Sequence, residues 1–241
     1  MTQQIRFGSR LRLGMIIPSV NTEAEPQIAA MLPDGVTLHT TRLKMIEHTP
    51  SDLLSMTERI EEGASLLADA GVDRIIFNCT AVTMNSPEAA DRINARITEA
   101  TGLPATATAH GVRAALAALG AKKVVMVTPY VSAVNEREAV FLRHNGIEVL
   151  RDYAMGLTYA KDFRAVTGEA WRRLVLEQRD DRADAYFMSC AQARVAEIID
   201  TLEQELGRPV VTSNQAATWL ALRESGIADR VEGFGAIFAR H

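Results

Sequence analysis

The chain contains few cysteines, few aromatic residues and no long apolar run. Two of its 241 residues are cysteine, and aromatic residues make up 5%. No apolar run reaches the roughly 18 residues that a bilayer crossing needs, so we expect no membrane span. The short apolar run near the start leads into polar residues, which is not typical of a signal peptide. We therefore predict a cytoplasmic protein, a setting in which structural disulfides are rare.

Basic tracts and metal-binding spacings are also missing. The formal net charge is −4, and no stretch concentrates lysine or arginine. We therefore expect neither nucleic acid nor an anionic membrane surface as a partner. The five histidines and two cysteines are scattered, without a C-x-x-C or H-x-x-x-H pattern. This spacing gives no positive sign of a metal site, and we assign no metal ligands.

Short apolar runs alternate along the chain with longer amphipathic stretches. This alternation predicts βα units and an α/β fold with parallel sheets. The predicted strands cover residues 11–19, 37–43, 73–79, 104–109, 122–130, 147–155, 183–190 and 208–214. The predicted helices cover residues 22–32, 51–71, 86–102, 110–120, 132–146, 167–180, 192–207 and 215–226.

The series of strands and helices repeats itself once. Pro18 and Pro129 each end the first strand of a series, and they lie 111 residues apart. Cys79 and Cys190 show the same separation. We interpret the chain as two similar parallel-sheet α/β halves related by pseudo-two-fold symmetry, with the active site in the cleft between them.

The predicted halves have defined boundaries. The first covers residues 1–118 and the second covers residues 119–214. A C-terminal helix over residues 215–241 is expected to pack back on the first half.

Both cysteines lie where the third predicted strand of a half ends. Ligands of open parallel sheets bind outside the carboxyl ends of the strands, so the two thiols are expected on opposite walls of the cleft. A helix is predicted to follow each cysteine, and its N-terminus would stabilise a thiolate. The alternative is that each cysteine is a small buried hydrophobic residue that only packs. The matched pair favours a catalytic role for Cys79 and Cys190.

Polar residues also follow the first strand of each half. Ser19 and Asn21 come after Pro18, and Tyr130 and Ser132 come after Pro129. We predict that these four side chains contact a ligand. Asn21 has the alternative role of a helix cap, and Tyr130 that of an amphipathic wall residue.

Two further residues are weaker candidates for the cleft. His110 and Asn214 lie at the ends of the fourth strands of the two halves. His110 has the alternative role of capping the helix that follows it.

Several stretches resemble the aspartate/glutamate racemase superfamily, in its maleate cis–trans isomerase and arylmalonate decarboxylase branch. The sequence "GMIIPSVNTEAEP" at 14–26, together with Cys79, is similar to the isomerases. Residues 100–136 and 207–226 are similar to the decarboxylases, and "NCTAVT" at 78–83 and "FMSCAQ" at 187–192 carry the two cysteines. The resemblance implies the two-half fold and a mechanism without a cofactor.

The resemblance also implies roles for individual residues. Cys79 would add as a thiolate to an alkene carbon of maleate or a related small dicarboxylate, and Cys190 would supply and recover the proton. Asn21 and Tyr130 match positions that hold substrate carboxylates in the isomerases. Backbone N–H groups after each cysteine would bind carboxylate oxygens, in the segments formed by Thr80, Ala81 and Val82 and by Ala191 and Gln192.

The sequence departs from the isomerase pattern in one loop. Isomerases carry an asparagine after the second strand of the second half, and residues 155–163 contain none. Thr158, Tyr159 and Lys161 are the candidates to replace it. Thr80, directly after Cys79, adds a hydroxyl group, and in this respect the loop resembles the hydroxyl-lined pocket of the decarboxylases.

Four functions therefore remain open at the level of sequence. The first is a maleate-type isomerase, and the second is an arylmalonate-type decarboxylase in which Cys190 alone is the proton donor. The third is an amino acid or hydantoin racemase that uses both thiols as bases. The fourth is a binding protein for a small carboxylate. We further expect a homodimer, because homodimers are the commonest soluble assembly.

Overall fold

The computed structural model describes residues 7–46 and 50–241 and contains two parallel four-stranded sheets. In the first sheet the strand order is β2-β1-β3-β4. Its strands are β1 (Leu11–Pro18), β2 (Val36–Leu43), β3 (Arg74–Phe77) and β4 (Ala105–Ala107). In the second sheet the order is β6-β5-β7-β8. Its strands are β5 (Lys123–Thr128), β6 (Glu148–Ala154), β7 (Ala185–Met188) and β8 (Val210–Thr212).

Helices connect the strands throughout the described part of the chain. Those of the first series are α1 (Ala24–Met31), α2 (Pro50–Thr57), α3 (Ile60–Asp69), α4 (Thr80–Thr83), α5 (Ala89–Thr101) and α6 (Thr108–Ala118). Those of the second series are α7 (Ser132–His144), α8 (Ala160–Ala165), α9 (Gly168–Glu177), α10 (Ile199–Leu206), α11 (Ser213–Glu224) and α12 (Gly235–Arg240). A single 3₁₀ turn, Ala196–Ile198, precedes α10. The predicted α/β fold with two similar parallel sheets is confirmed.

The central strands are apolar because both faces of each sheet are covered. In β1, Leu13, Met15, Ile16 and Ile17 are fully buried. In β5, all residues after Lys123 are buried. Strands covered on both faces have continuous apolar runs, which is the pattern that predicted them.

The two series meet where α6 crosses α11. A Cβ atom on Gly111 of α6 would lie 2.7 Å from the backbone carbonyl of Ala216 in α11. Only glycine allows this approach, because real Cβ atoms do not come so close to backbone. The crossing packs the helix that follows the last strand onto the first series.

The C-terminal segment differs from the prediction of one helix over residues 215–241. Helix α11 ends at Glu224, before Gly226, which adopts a positive φ of 76°. Helix α12 is separate and packs against α10 and β8 of the second sheet. There the backbone N–H of Ala236 donates to Glu203. The prediction of a single helix was wrong because the glycine ends α11.

The boundaries at residues 118, 119 and 214 remain predictions. Residues 1–6 and 47–49 of the predicted first half lie outside the described residues. Among the described residues, no helix is both long enough and apolar enough to cross a membrane.

Candidate active site

Two buried thiols share one small pocket between the sheets. Cys79 follows β3 as the N-cap of α4, and Cys190 lies just beyond β7. Both are free thiols and are 5% and 3% exposed. The pocket is lined by residues from both series, namely Pro18, Asn21, Cys79, Thr80, Tyr130, Cys190, Ala191 and Gln192.

The volume of the pocket is about 10 Å³. A cavity of this size holds about one water molecule. A ligand with several carbon atoms therefore binds only if the surrounding side chains or loops move apart.

The backbone at Cys190 is strained. Its φ is 118°, and it is the only residue other than glycine with a positive φ in the described part of the chain. Such a conformation costs on the order of 1–3 kcal/mol and persists only where surrounding contacts impose it. The N–H of Gln192 lies 3.3 Å from Cys190 Sγ, so this turn directs a backbone donor at the thiol.

The segment after Cys190 is not the helix that the sequence predicted. Residues 191–195 form turns and loop, and the 3₁₀ turn begins only at Ala196. Gln27 of α1 holds this segment through its buried side chain. Its Nε2 donates to Ala193 O at 2.9 Å, and its Oε1 accepts from the N–H groups of Val195 and Ala196. The loop is thus fixed by the other series and not by helical hydrogen bonds.

A single hydroxyl links the two cysteine segments. Thr80 Oγ1 donates to Ser213 Oγ at 2.8 Å, and the N–H of Cys190 donates to the same oxygen at 3.0 Å. Ser213 is the first residue of α11, and it is fully buried. It therefore ties the residue after Cys79 to the strained backbone of Cys190.

A second polar link runs through two asparagines. Asn78 Nδ2 donates to Asn214 Oδ1 at 2.9 Å, and Asn214 Nδ2 donates to Ala191 O at 3.0 Å. Asn214 thus supports the pocket from behind and is not among the residues that line it.

Burial, more than any other effect, sets the pKa values of the thiols. It raises the pKa of Cys79 to about 12, against the lowering effect of the Val82 N–H. It raises the pKa of Cys190 to about 12 as well, although the Tyr130 hydroxyl and the Gln192 N–H both stabilise the thiolate. The expected stabilisation by helix N-termini is outweighed, because α4 has only four residues and no helix follows Cys190 directly.

The two thiols also influence each other. After burial and the Val82 N–H, the charge of Cys190 raises the pKa of Cys79 further. Ionising one thiol therefore disfavours ionising the other, and the pair holds at most one negative charge over an extended pH range.

Two polar atoms in the pocket have no partner among the described residues. Asn21 Oδ1 accepts from Glu23 N at 2.9 Å and from Ala24 N at 3.0 Å, just before and at the start of α1. Its Nδ2 is buried and free. Gln192 donates through Nε2 to Ala160 O, and its Oε1 is buried and free. Asn21 thus binds backbone N–H groups at the start of α1 and also lines the pocket.

Four of the predicted site residues do not line the pocket. The Ser19 hydroxyl bonds to the backbone of Met45, and Ser132 is exposed at the start of α7. The Ala81 side chain is buried in α4. The Val82 side chain lines a separate cavity of about 420 Å³, bounded also by Asn85 and Arg137, which neither thiol reaches.

The weaker candidates also have other partners. His110 hydrogen-bonds through its two ring nitrogens to Asn94 and Asp91. Tyr159 is half exposed, with the Lys161 ammonium 5.6 Å from its ring centre. From the loop 155–163, two residues contact pocket side chains: the Phe163 ring packs edge-on against Tyr130 with ring centres 5.9 Å apart, and Ala160 O accepts from Gln192. Within the described residues, no cluster of three or more acidic, histidine or cysteine side chains could hold a metal ion.

Comparison with known families and proteins gives matches over almost the whole chain. The arylmalonate decarboxylase family model matches residues 13–238. A maleate isomerase of Geobacillus stearothermophilus is 25% identical, covering 97% of this chain and 99% of the relative. An arylmalonate decarboxylase of Bordetella bronchiseptica is 28% identical, covering 94% of this chain and 95% of the relative.

Solved structures give the same result. The maleate isomerase Iso of Pseudomonas putida S16, with one cysteine replaced by alanine and with maleate, superimposes with a TM-score of 0.89. It is 27% identical and covers 95% of this chain and 97% of its own. Maleate isomerases from several organisms match this chain over almost its whole length. These matches support the conclusion that the chain is an isomerase.

Proposed function

The chain belongs to the arylmalonate decarboxylase family, and on that premise we propose that it is a cofactor-independent cis–trans isomerase of maleate or a related small dicarboxylate. The observation that carries the proposal is the pair of thiols in one pocket, each at the exit of the third strand of its series. A decarboxylase of the kind considered above needs one thiol, whereas addition and proton transfer at two adjacent carbons need two.

The reaction begins with one thiolate and one thiol. The Cys79 thiolate adds to one alkene carbon, and the Cys190 thiol gives its proton to the other. The S–C bond that forms turns the double bond into a single bond, so the substrate rotates about it. The Cys190 thiolate then takes the proton back, the S–C bond breaks, and the trans product leaves with both cysteines in their initial state.

Neutral donors hold the substrate carboxylates in this proposal. The buried Asn21 Nδ2 is a free donor in the pocket, and Tyr130 contributes a hydroxyl that interacts with Cys190. The backbone N–H groups of the segments that follow each cysteine are the remaining donors. Preorganised donors of this kind stabilise charge that develops on carboxylate oxygens during the addition.

Replacement of each thiol separates isomerisation from decarboxylation. We would follow wild-type, Cys79→Ser and Cys190→Ser proteins by proton NMR in deuterated water, with maleate and with a phenyl-substituted malonate. The proposal predicts fumarate from the wild type and none from either variant. Absence of fumarate at high wild-type concentration would refute it.

Arylmalonate decarboxylation is the second candidate, and Thr80 favours it. Thr80 lines the pocket together with the two thiols, in keeping with the decarboxylase-like resemblance of this loop. In that case, loss of carbon dioxide from the malonate would persist in Cys79→Ser and disappear in Cys190→Ser. A homodimer and a cytoplasmic location remain predictions for either function.

A further inference from the structure

Two amide side chains of the pocket each keep one buried atom without a hydrogen bond. Asn21 and Gln192 both line the pocket, and they are 1% and 2% exposed. Nδ2 of Asn21 and Oε1 of Gln192 have no partner among the described residues. A buried polar atom without a partner is costly, so a ligand that bonds to both atoms removes that cost.

The orientation of each amide is fixed by its other atom. Oδ1 of Asn21 accepts from the N–H groups of Glu23 and Ala24, which an NH₂ group does not do. Nε2 of Gln192 donates to Ala160 O at 3.1 Å, which an amide oxygen does not do. Asn21 therefore has a donor left for a ligand, and Gln192 has an acceptor.

The stretch 155–163 determines which atom of Gln192 is left over. It contains no asparagine, although the isomerase pattern has one there. It contributes instead the carbonyl oxygen of Ala160, which takes the Gln192 donor. A carboxylate accepts hydrogen bonds only, so it has no favourable contact with the Gln192 oxygen that remains. A group with an N–H or O–H bond is the one that fits there.

The charge of the pocket also limits the ligand. Among the described residues, no lysine, arginine or histidine lines the pocket. Two arginines bind the backbone of the loop that follows β1, but Arg42 pairs with Glu25 and Arg164 donates only to a carbonyl oxygen of that loop. In the proposed reaction Cys79 is already a thiolate, and each further buried negative charge without a counter-ion is costly. A monoanion therefore fits this pocket better than a dianion.

We propose that the preferred substrate is the half-amide of a cis-enedioate, with its carboxylate at Asn21 and its carboxamide at Gln192. This inference rests on the proposed isomerase function and names the substrate class of the same site. Cys79 adds to one alkene carbon and Cys190 exchanges the proton at the other, as for maleate. The amide bond stays intact, and the product is the trans half-amide.

The test compares three substrates that differ in one end group. They are maleate, its half-amide and its monomethyl ester, with kcat/KM for the trans product measured by proton NMR between pH 6 and 8.5. The half-amide and the ester are both monoanions, but only the amide donates a hydrogen bond. We expect the wild type to prefer the half-amide by at least about tenfold, because a site built to bond an N–H group rejects the analogue that lacks it.

Replacement of the acceptor separates hydrogen bonding from size. Gln192→Met should make kcat/KM for the half-amide and the ester nearly equal. The matched control is Gln27→Met, because Gln27 is also a buried glutamine and holds the backbone after Cys190, but it is not among the residues that line the pocket. Gln27→Met should keep the wild-type preference even if it lowers all three rates, since a loosened loop affects both monoanions alike.

The pH dependence separates the half-amide from the monoprotonated dicarboxylate, which also has one carboxylate and one donor. The half-amide keeps one charge throughout the range, whereas maleate loses its donor when its second carboxyl ionises. The titration of the enzyme is common to both substrates and cancels in the ratio of their kcat/KM values. Above the second pKa of maleate, the ratio of half-amide to maleate should rise about tenfold with each pH unit.

Three results would overturn the inference. They are equal use of the half-amide and the ester by the wild type, an unchanged preference in Gln192→Met, and a higher kcat/KM for maleate than for the half-amide at every pH. If Gln192→Met does not fold, the ester and pH comparisons on the wild type still decide.

Binding without turnover distinguishes failure of this inference from failure of the isomerase proposal. The saturated half-amide and monomethyl ester of succinate cannot isomerise, and the shift in wild-type Tm reports their binding. A larger shift with the half-amide, together with no trans product from any substrate, would refute the isomerase proposal alone. Trans product without any preference for the half-amide would refute this inference alone.

Discussion

Ser213→Ala is the substitution that most sharply tests how the pocket is held together. The hydroxyl of Ser213 accepts from Thr80 Oγ1 at 2.8 Å and from Cys190 N at 3.0 Å. Alanine leaves both donors buried without an acceptor. A buried donor that loses its partner costs about 1–3 kcal/mol, so for two donors we expect a loss of about 2–6 kcal/mol in the free energy of unfolding.

Thr218→Val is the matched control for this substitution. Thr218 lies on the same helix and is equally buried, but its hydroxyl has no hydrogen-bond partner among the described residues. Replacing that hydroxyl by a methyl group should be neutral or stabilising, because no bond is lost. The difference between the two variants therefore measures the hydrogen bonds and not the loss of a buried hydroxyl.

The assay is urea unfolding followed by circular dichroism, with the midpoint compared at an unchanged m-value. Ser213→Ala should also lower maleate turnover far more than Thr218→Val, because the backbone of Cys190 loses one of its anchors. The reasoning is wrong if Ser213→Ala unfolds at the same urea concentration as Thr218→Val.

Three further predictions concern strain, charge and close packing. Cys190→Gly should have a free energy of unfolding about 1 kcal/mol larger than that of Cys190→Ala in urea unfolding, because glycine adopts the φ of 118° without strain. Equal stability of the two variants would mean that the turn is unstrained. Burial raises the pKa of Glu138 from 4.5 to about 8. The contribution of Glu138 to the free energy of unfolding is therefore fully present below pH 4.5 and is lost as the pH rises to 8. In urea unfolding, the wild type should therefore lose about 1.4 kcal/mol per pH unit relative to Glu138→Gln across that window, and parallel curves would contradict it. Gly111→Ala should cost about 1–3 kcal/mol in thermal unfolding, because its Cβ meets the backbone of α11. Gly63→Ala is the control, since its Cβ would meet side-chain atoms of Leu43 and Thr41 and no backbone, and equal losses would exclude the close crossing.

The parallel sheets could be predicted because their signals are local. Each central strand is a short apolar run, and the prolines and cysteines that end these runs recur at one separation. The carboxyl ends of parallel strands are where ligands bind, and the repeat puts Cys79 and Cys190 at equivalent strand ends of the two halves, so the strand ends and the repeat together predicted a common cleft for them.

The features that the sequence did not predict are long-range or depend on burial. Ser213 follows a strand like many other residues, and its role appears only when Thr80 and Cys190 lie on either side of it. We expected helix N-termini to stabilise the thiolates. Desolvation has the larger and opposite effect, because it raises the pKa values of both thiols. The burial of Glu138 was not predicted either, because helix 132–146 contains several charged residues and only the fold distinguishes this one.

The covalent step on Cys79 is the central claim, and intact-protein mass spectrometry tests it most directly. Wild-type protein and Cys79→Ser would be mixed with maleate, quenched in acid during turnover, and mapped by peptide digestion. The proposal predicts a wild-type species heavier by one maleate, with the added mass on the peptide containing Cys79, and no such species in Cys79→Ser. Fumarate formation without any adduct, or an adduct located on Cys190, would contradict it.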